Sequence, residues 1–289
     1  MYMTKKKKRP FDLLMKALII ICAAFSIALL VMIILFVVSK GFKSVDWSFL
    51  TTVSSVRKGT VGIAGNIVNT ILIIILTMLV VIPVGVGAAI YLNEYAKPGK
   101  LVTVIEFATE VLAGIPSIIF GLFGMMFFGE TLGFGYSILT GSLTLIIMVL
   151  PLVIRNTQEA LKTVPVCYRH GAIGLGAGKW YMIRTILIPC AMPGIITGAI
   201  LAIGRIVGES AALLFTAGSA KLLPKGLMGI FDKIFQSGGT LTIQLYLSAT
   251  SEGDFETAFG IAFVLLIIVF VINIITKALT RHFDATNRK

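Results

Sequence analysis

"RNTQEALKTVPVCYRHGAIGLGAGKWYMIRTILIP", Arg155–Pro189, is a polar interruption in a chain that is otherwise mostly apolar. Its first residues suit a helix that Pro165 ends. Gly171, Gly174, Gly176 and Gly178 then mark a turn-rich stretch before the apolar pattern resumes. This pattern predicts a helix–turn–helix lying on a membrane face between two spans, with a tight turn at Gly176 that needs a positive φ or a close backbone approach. "GLGAGKW" invites a phosphate-loop reading and fails it. Three residues rather than four separate Gly174 from Gly178, and Trp180 stands where magnesium needs a Ser or Thr hydroxyl. No cofactor is therefore expected in this chain, and ATP with its magnesium would belong to another subunit.

On both sides of this stretch lie runs long enough, or nearly so, for a bilayer that takes about 20 residues. They cover 14–38, 66–92, 101–128, 138–154, 186–215 and 258–279. Only 13% of the 289 residues are charged, against about 25% in a soluble domain, and the mean hydropathy is +0.99. The fold class expected is an all-α polytopic membrane protein with six transmembrane helices. The first run follows the basic stretch Lys5–Arg9. Its apolar core is too long for a signal peptide and lacks a small-residue cleavage site, so it is expected to stay as an anchor. The net charge of +12 accompanies no nucleic-acid-binding motif, so no nucleic acid is expected as a partner. Cys22, Cys167, Cys190, His170 and His282 are too scattered for a metal site or a disulfide framework.

With the N-terminus in the cytoplasm, the inner segments hold 17 of the 25 basic residues and the outer segments 7, with Arg205 left inside a span. The positive-inside rule selects that orientation, with both ends in the cytoplasm. The chain divides into a basic tail, first span and outer loop over 1–65, a transmembrane domain over 66–280 with its cytoplasmic loop at about 155–185, and a short tail over 281–289. The basic N-terminal run suits anionic lipid. "LPKGLMGIFDKIF", Leu223–Phe235, reads as an amphipathic helix on the outer surface, resting in the interface or meeting a solute-binding protein. Gly85, Gly87, Gly121 and Gly124 read as packing positions, and Gly194 with Gly198 as a small-xxx-small contact.

The loop resembles the cytoplasmic signature of ABC importer permeases, Glu-Ala-Ala, three residues, Gly, nine residues, then Ile-x-Leu-Pro. His170-Gly171-Ala172, Gly176 and Pro189 keep that spacing, with His170 where the family has Glu and Gly171 where it has Ala. "IPVGVGAAIYLNEYA" (Ile82–Ala96), "AGIPSIIFGLFG" (Ala113–Gly124), "LPLVIRNTQEAL" (Leu150–Leu161), "AIGRIVGESAALL" (Ala202–Leu214) and "TIQLY" (Thr242–Tyr246) are similar to the phosphate-specific members of that family, of the PstA type. The resemblance implies a type I ABC importer permease fold and a role in importing inorganic phosphate across the cytoplasmic membrane. It implies no catalysis by this chain: a separate ATPase would hydrolyse ATP. It also implies four partner subunits: a homologous PstC-type permease, two copies of a PstB-type ATPase bound below, with the loop docking in an ATPase groove, and an extracytoplasmic PstS-type phosphate-binding protein. In that family the arginine of "LVIR", an acid three residues later and the arginine of the fifth span are tied to transport. These fall on Arg155, Gln158 and Arg205, with Gln158 replacing the usual Glu. The alternatives are a permease for sulfate, molybdate or another small oxyanion, and an ion-gradient-driven secondary transporter. The latter would need ion-coupling carboxylates or a repeat, and only Glu209 lies mid-span.

Arg205 and Glu209 stand four residues apart in "ILAIGRIVGESAALL", Ile200–Leu214. A charge at a span centre costs about 2.5–3.5 kcal/mol on insertion scales, so it faces protein or water. At i, i+4 the two are expected to pair on one helix face. One reading makes Arg205 the lining of an anion path, with Glu209 tempering its charge so that the anion can leave. The other makes the pair structural glue between spans.

Overall fold

The computed structural model describes residues 10–55, 60–97, 99–223 and 226–283. The basic run before residue 10, Arg57, Lys58, Lys225 and the tail beyond 283 lie outside the described residues. Helix α1, Pro10–Gly41, exposes its apolar side chains along most of its length. It meets the rest of the chain near its C-terminal end. There Phe36 stands edge-on to Phe259 with centroids 5.5 Å apart, Phe42 packs on Phe263 at 5.9 Å, and a Cβ on Gly41 would fall 2.3 Å from the Phe259 carbonyl oxygen. A short helix α2, Trp47–Thr51, and an antiparallel hairpin of β1, Val53–Ser55, and β2, Thr60–Ile63, follow. This hairpin is the only β-structure among the described residues of an otherwise helical fold.

Helix α3, Ala64–Ile90, runs on into a π-helical turn, Tyr91–Tyr95. The apolar run expected as one third span is instead α4, Lys100–Gly114, and α5, Ser117–Gly124 with a π-helical end Met125–Thr131, bent by 102°. The cause is local. Ile115 precedes Pro116, and a residue before proline is pushed out of the helical region; Ile115 has ψ 132° and Pro116 ψ 138°.

Helix α6, Ile138–Lys162, starts on Ser137, whose Oγ accepts from the Thr140 amide at 3.1 Å, satisfying one of the orphan amides of the first turn. It is the most enclosed long helix among the described residues. Ile73 and Val81 of α3, Phe120 of α5 and Leu145, Met148, Val149 and Val153 of α6 share the central core with residues farther along the chain. A connection of α7, Val166–Gly174, α8, Lys179–Met182, and a π-helical turn Ile183–Leu187 leads to α9, Ile188–Gly208. Helix α9 lies on α6 through glycines: a Cβ at Gly194 would stand 2.5 Å from that of Ala160, and one at Gly198 2.8 Å from that of Asn156. Gly85, Gly121 and Gly124 are packing positions too, against Val153, Ala212 and Thr144, whereas Gly87 faces open space.

Past α9 come α10, Ala211–Thr216, α11, Gly226–Ile234, α12, Leu241–Thr250, and α13, Phe255–Phe283. The segment expected as an outer loop folds partly back into the bundle. Asn66 donates to the Gly239 carbonyl at 3.0 Å, Asn69 to those of Ala220 and Gly239 at 3.1 Å, and the Leu241 amide donates to Thr70 Oγ1 at 3.0 Å. Backbone that leaves regular structure within a bundle needs such partners. Helix α11 is amphipathic as expected: Phe231 and, just past its end, Phe235 are exposed, while Lys233 is buried and donates to the Ser237 carbonyl at 2.9 Å. Burial lowers the Lys233 pKa. Helix α13 is capped by Asp254, which accepts from the Thr257 amide at 3.0 Å and from its hydroxyl. These bonds lower the Asp254 pKa, so the cap stabilises the chain at neutral pH and is lost as pH falls through that depressed value.

Among the described residues, five helices are long and apolar enough to cross a membrane, or six if the bent α4–α5 pair is one span.

Candidate functional site

Two of the four expected pathway residues meet in one place. Arg155 and Gln158, on the last turns of α6, line a cleft of about 220 Å³ with Glu159 and Lys162 of the same helix and Glu106, Thr109 and Glu110 of α4. Gln158 is buried. Arg155 Nη1 lies 4.0 Å from Glu110 Oε1, both side chains being mostly exposed, and Lys162 Nζ lies 3.5 Å from Glu159. The acid beside Arg155 thus comes from α4, position 158 being Gln. Its signal in the sequence was Glu106 and Glu110, one helical turn apart. Exposed pairs of this kind contribute ~0–1 kcal/mol, so Glu110 holds Arg155 only weakly.

Arg205 and Glu209 do not pair. Helix α9 ends at Gly208, and Glu209 is extended at φ −80°, ψ 120°. Glycine disfavours helix, and the turn is held by Glu209 itself. Its Oε1 accepts from the Ala212 amide at 3.1 Å, capping α10, and its carbonyl accepts from Thr242 Oγ1 at 2.9 Å. The run expected as one span over 186–215 is therefore broken here. Arg205 is half-buried and has no hydrogen bond or ion pair among the described residues. It does not line the Arg155 cleft. Gly204 and Gly208 instead border an apolar groove with Leu265, Leu266 and Val269 of α13.

The connection between α6 and α9 turns at Gly176, whose φ is +81° with nothing within 4 Å of where a Cβ would be. His170 and Gly171 are exposed, Ala172 is buried and Pro189 is half-buried at the start of α9. Ala172 joins Leu161, Val164, Met182, Ile183 and Leu187 in a small core beneath the loop. Above it Tyr168, Ile173, Trp180 and Tyr181 are exposed, and Leu175 is 91% exposed.

The model of the family "binding-protein-dependent transport system inner membrane component" matches residues 81–289. The chain belongs to this family. A probable ABC transporter permease protein of Bacillus subtilis, YqgI, is 41% identical over 198 residues, covering 68% of this chain and 67% of its own. The phosphate transport system permease protein PstA of Mycobacterium leprae is 33% identical over 273 residues, covering 92% of this chain and 87% of its own. A bacterial alginate ABC transporter, solved with a pentasaccharide-bound periplasmic protein, superposes with a TM-score of 0.71 at 13% identity, covering 96% of each chain. The fold is that of a type I ABC importer permease, a multi-pass membrane protein.

The permease loop is anchored by residues that the sequence reading passed over. Arg169 of α7 donates through Nε and Nη2 to Glu94 Oε1 at 3.3 and 3.0 Å, through Nη1 to the Val164 carbonyl at 3.0 Å and through Nη2 to the Leu161 carbonyl at 2.9 Å. The Glu94 side chain is 6% exposed and that of Arg169 17%. Breaking one side of such a buried pair costs about 3–5 kcal/mol, because the other charge is left unpaired. Seventy-five residues separate the partners, and no periodicity joins them. Gly176→Val in this permease forces a β-branched residue into the left-handed region, at about 1–2 kcal/mol or more. Recovery of the ATPase with tagged permease is expected to fall about tenfold, and unchanged recovery would show that the turn does not shape the docking surface.

Proposed function

We propose that this chain is the membrane-spanning permease subunit of an ATP-driven importer of inorganic phosphate. It pairs with a homologous PstC-type permease, because one such subunit cannot enclose a path. Two PstB-type ATPases bind on the cytoplasmic side, one of them docking on the α7–α8 loop, and a PstS-type binding protein delivers phosphate from outside. The observation that carries the reading is the loop, whose exposed apolar side chains Tyr168, Ile173, Leu175, Trp180 and Tyr181 crown a surface fastened to the bundle. Exposed apolar patches of this kind mark docking sites. Phosphate as cargo is supported by the PstA-named relatives and by Arg155 and Arg205, whose planar forks match phosphate oxygens. Proteoliposomes holding the assembled complex should take up phosphate only with ATP on the loop side and binding protein on the other. Uptake driven by an ion gradient without ATP would overturn the proposal.

Both termini and the loop are placed in the cytoplasm by the charge bias of 17 basic residues against 7. In a background without Cys22, Cys167 and Cys190, single cysteines at the exposed positions Ser48 and Gln236 should react with an impermeant thiol reagent in intact cells. A cysteine at the exposed Gly178 should react only after permeabilisation. Labelling at Gly178 in intact cells would invert the topology and remove the docking role with it.

A further inference from the structure

We propose that the π-helical turn Tyr91–Tyr95 at the end of α3 is the point where movement of the α7–α8 loop enters the bundle, and that Glu94 and Arg169 are its positioning residues. The inference rests on the permease reading above and assigns a route within it. The loop is covalently continuous with α6 and α9, so its movement reaches those helices through the chain itself. It has no such continuity with α3. Its two helices nonetheless grip the same five residues of α3. From α7, Arg169 holds Glu94 Oε1 with two nitrogens at 3.3 and 3.0 Å. From α8, Lys179 Nζ sits 4.7 Å from the centre of the Tyr95 ring, a cation–π contact.

The first grip is built rather than incidental. Glu94 Oε1 also accepts from Asn93 Nδ2 at 2.6 Å. The remaining donors of Arg169 take the Leu161 and Val164 carbonyls, at and just past the C-terminal end of α6, where helix carbonyls lack intrahelical partners. One guanidinium therefore ties α3, α6 and α7 together. Next to it the backbone of α3 changes from α to π, a form found mostly as single turns at functional sites. A rigid pair of bonds at a point where the helix has already departed from its regular ladder transmits displacement of the loop to α3, and through α3 to the core it shares with α6.

The test compares Glu94→Gln, Arg169→Lys and Lys179→Met with the unchanged chain in the complete purified transporter. Glu94→Gln keeps the shape and removes the charge. Complex recovery should fall with the lost pairing, so both activities are read per recovered complex: ATP hydrolysis should stay within about twofold, while phosphate imported per ATP hydrolysed falls about tenfold or more. Arg169→Lys keeps the charge and loses the fork, so its ratio should lie between the two. Lys179→Met should lower the ratio less than Glu94→Gln. An unchanged ratio in Glu94→Gln would overturn the inference, and so would a loss of uptake that merely follows a loss of complex. A second measurement separates this from the proposed function. If the unchanged complex imports no phosphate, that function fails, and the grip is judged by amide hydrogen exchange in the full-length permease. Glu94→Gln should then speed exchange of Val166–Gly174 about tenfold; unchanged exchange would overturn it.

Discussion

Arg205→Leu is expected to cut phosphate uptake by about ten- to a hundredfold, the worth of one or two charge-assisted hydrogen bonds to the anion. The complex should still assemble. Arg205 has no bond to lose among the described residues. Leucine enters a bilayer readily where arginine costs about 2.5–3.5 kcal/mol. Arg205→Lys keeps the charge without the planar fork and should fall between the two. The geometry of Glu209 sharpens the comparison. Because its carboxylate caps α10 rather than pairing with Arg205, Glu209→Gln retains an acceptor and should transport nearly normally. Glu209→Leu loses the cap, at about 1 kcal/mol. Uptake and complex recovery measured on the same membranes decide the matter. Normal uptake by Arg205→Leu would remove it from the path. Restored uptake in the double variant Arg205→Leu, Glu209→Leu would favour a purely structural role.

The second large effect lies in the packing of α9 on α6. Gly194→Leu places a Cβ 2.5 Å from that of Ala160 and 3.3 Å from its Cα, against an optimum of about 3.5–4.0 Å between carbons. Ala160 belongs to the small core with Leu161, Ala191 and Ile195, so the backbone of α9 must move away and open that core. Overpacking costs about 1–3 kcal/mol, occasionally more. The high end applies here because helices in lipid associate through close packing rather than through exclusion of water. Folded permease recovered in mild detergent should drop about tenfold or more. Gly87→Leu, with nothing within 4 Å of the added Cβ, should leave recovery within about twofold. Equal recovery of both variants would show that the α6–α9 contact does not limit stability.

The sequence by itself determined the membrane class, the approximate spans and the polar loop between α6 and α9, because hydropathy and charge bias are sums over neighbouring residues. It also determined the left-handed turn at Gly176, because only glycine adopts that φ at no cost. The bend at Ile115–Pro116 is marked by the Gly-Ile-Pro triplet, yet the run around it, despite Glu106 and Glu110, is apolar enough to read as one span. The tertiary structure alone decided how charges are met. Glu209 turned from a helical partner of Arg205 into a cap because Thr242 and the Ala212 amide, from later in the chain, satisfy it there. Arg155, with Gln rather than an acid at 158, met Glu110 from another helix. Glu94 and Arg169 met across seventy-five residues. The physical reason is the same in each case. Inside a bundle or at its rim, a polar group must find a partner wherever the fold brings one within reach, and spacing along the chain records only the partners within one or two helical turns.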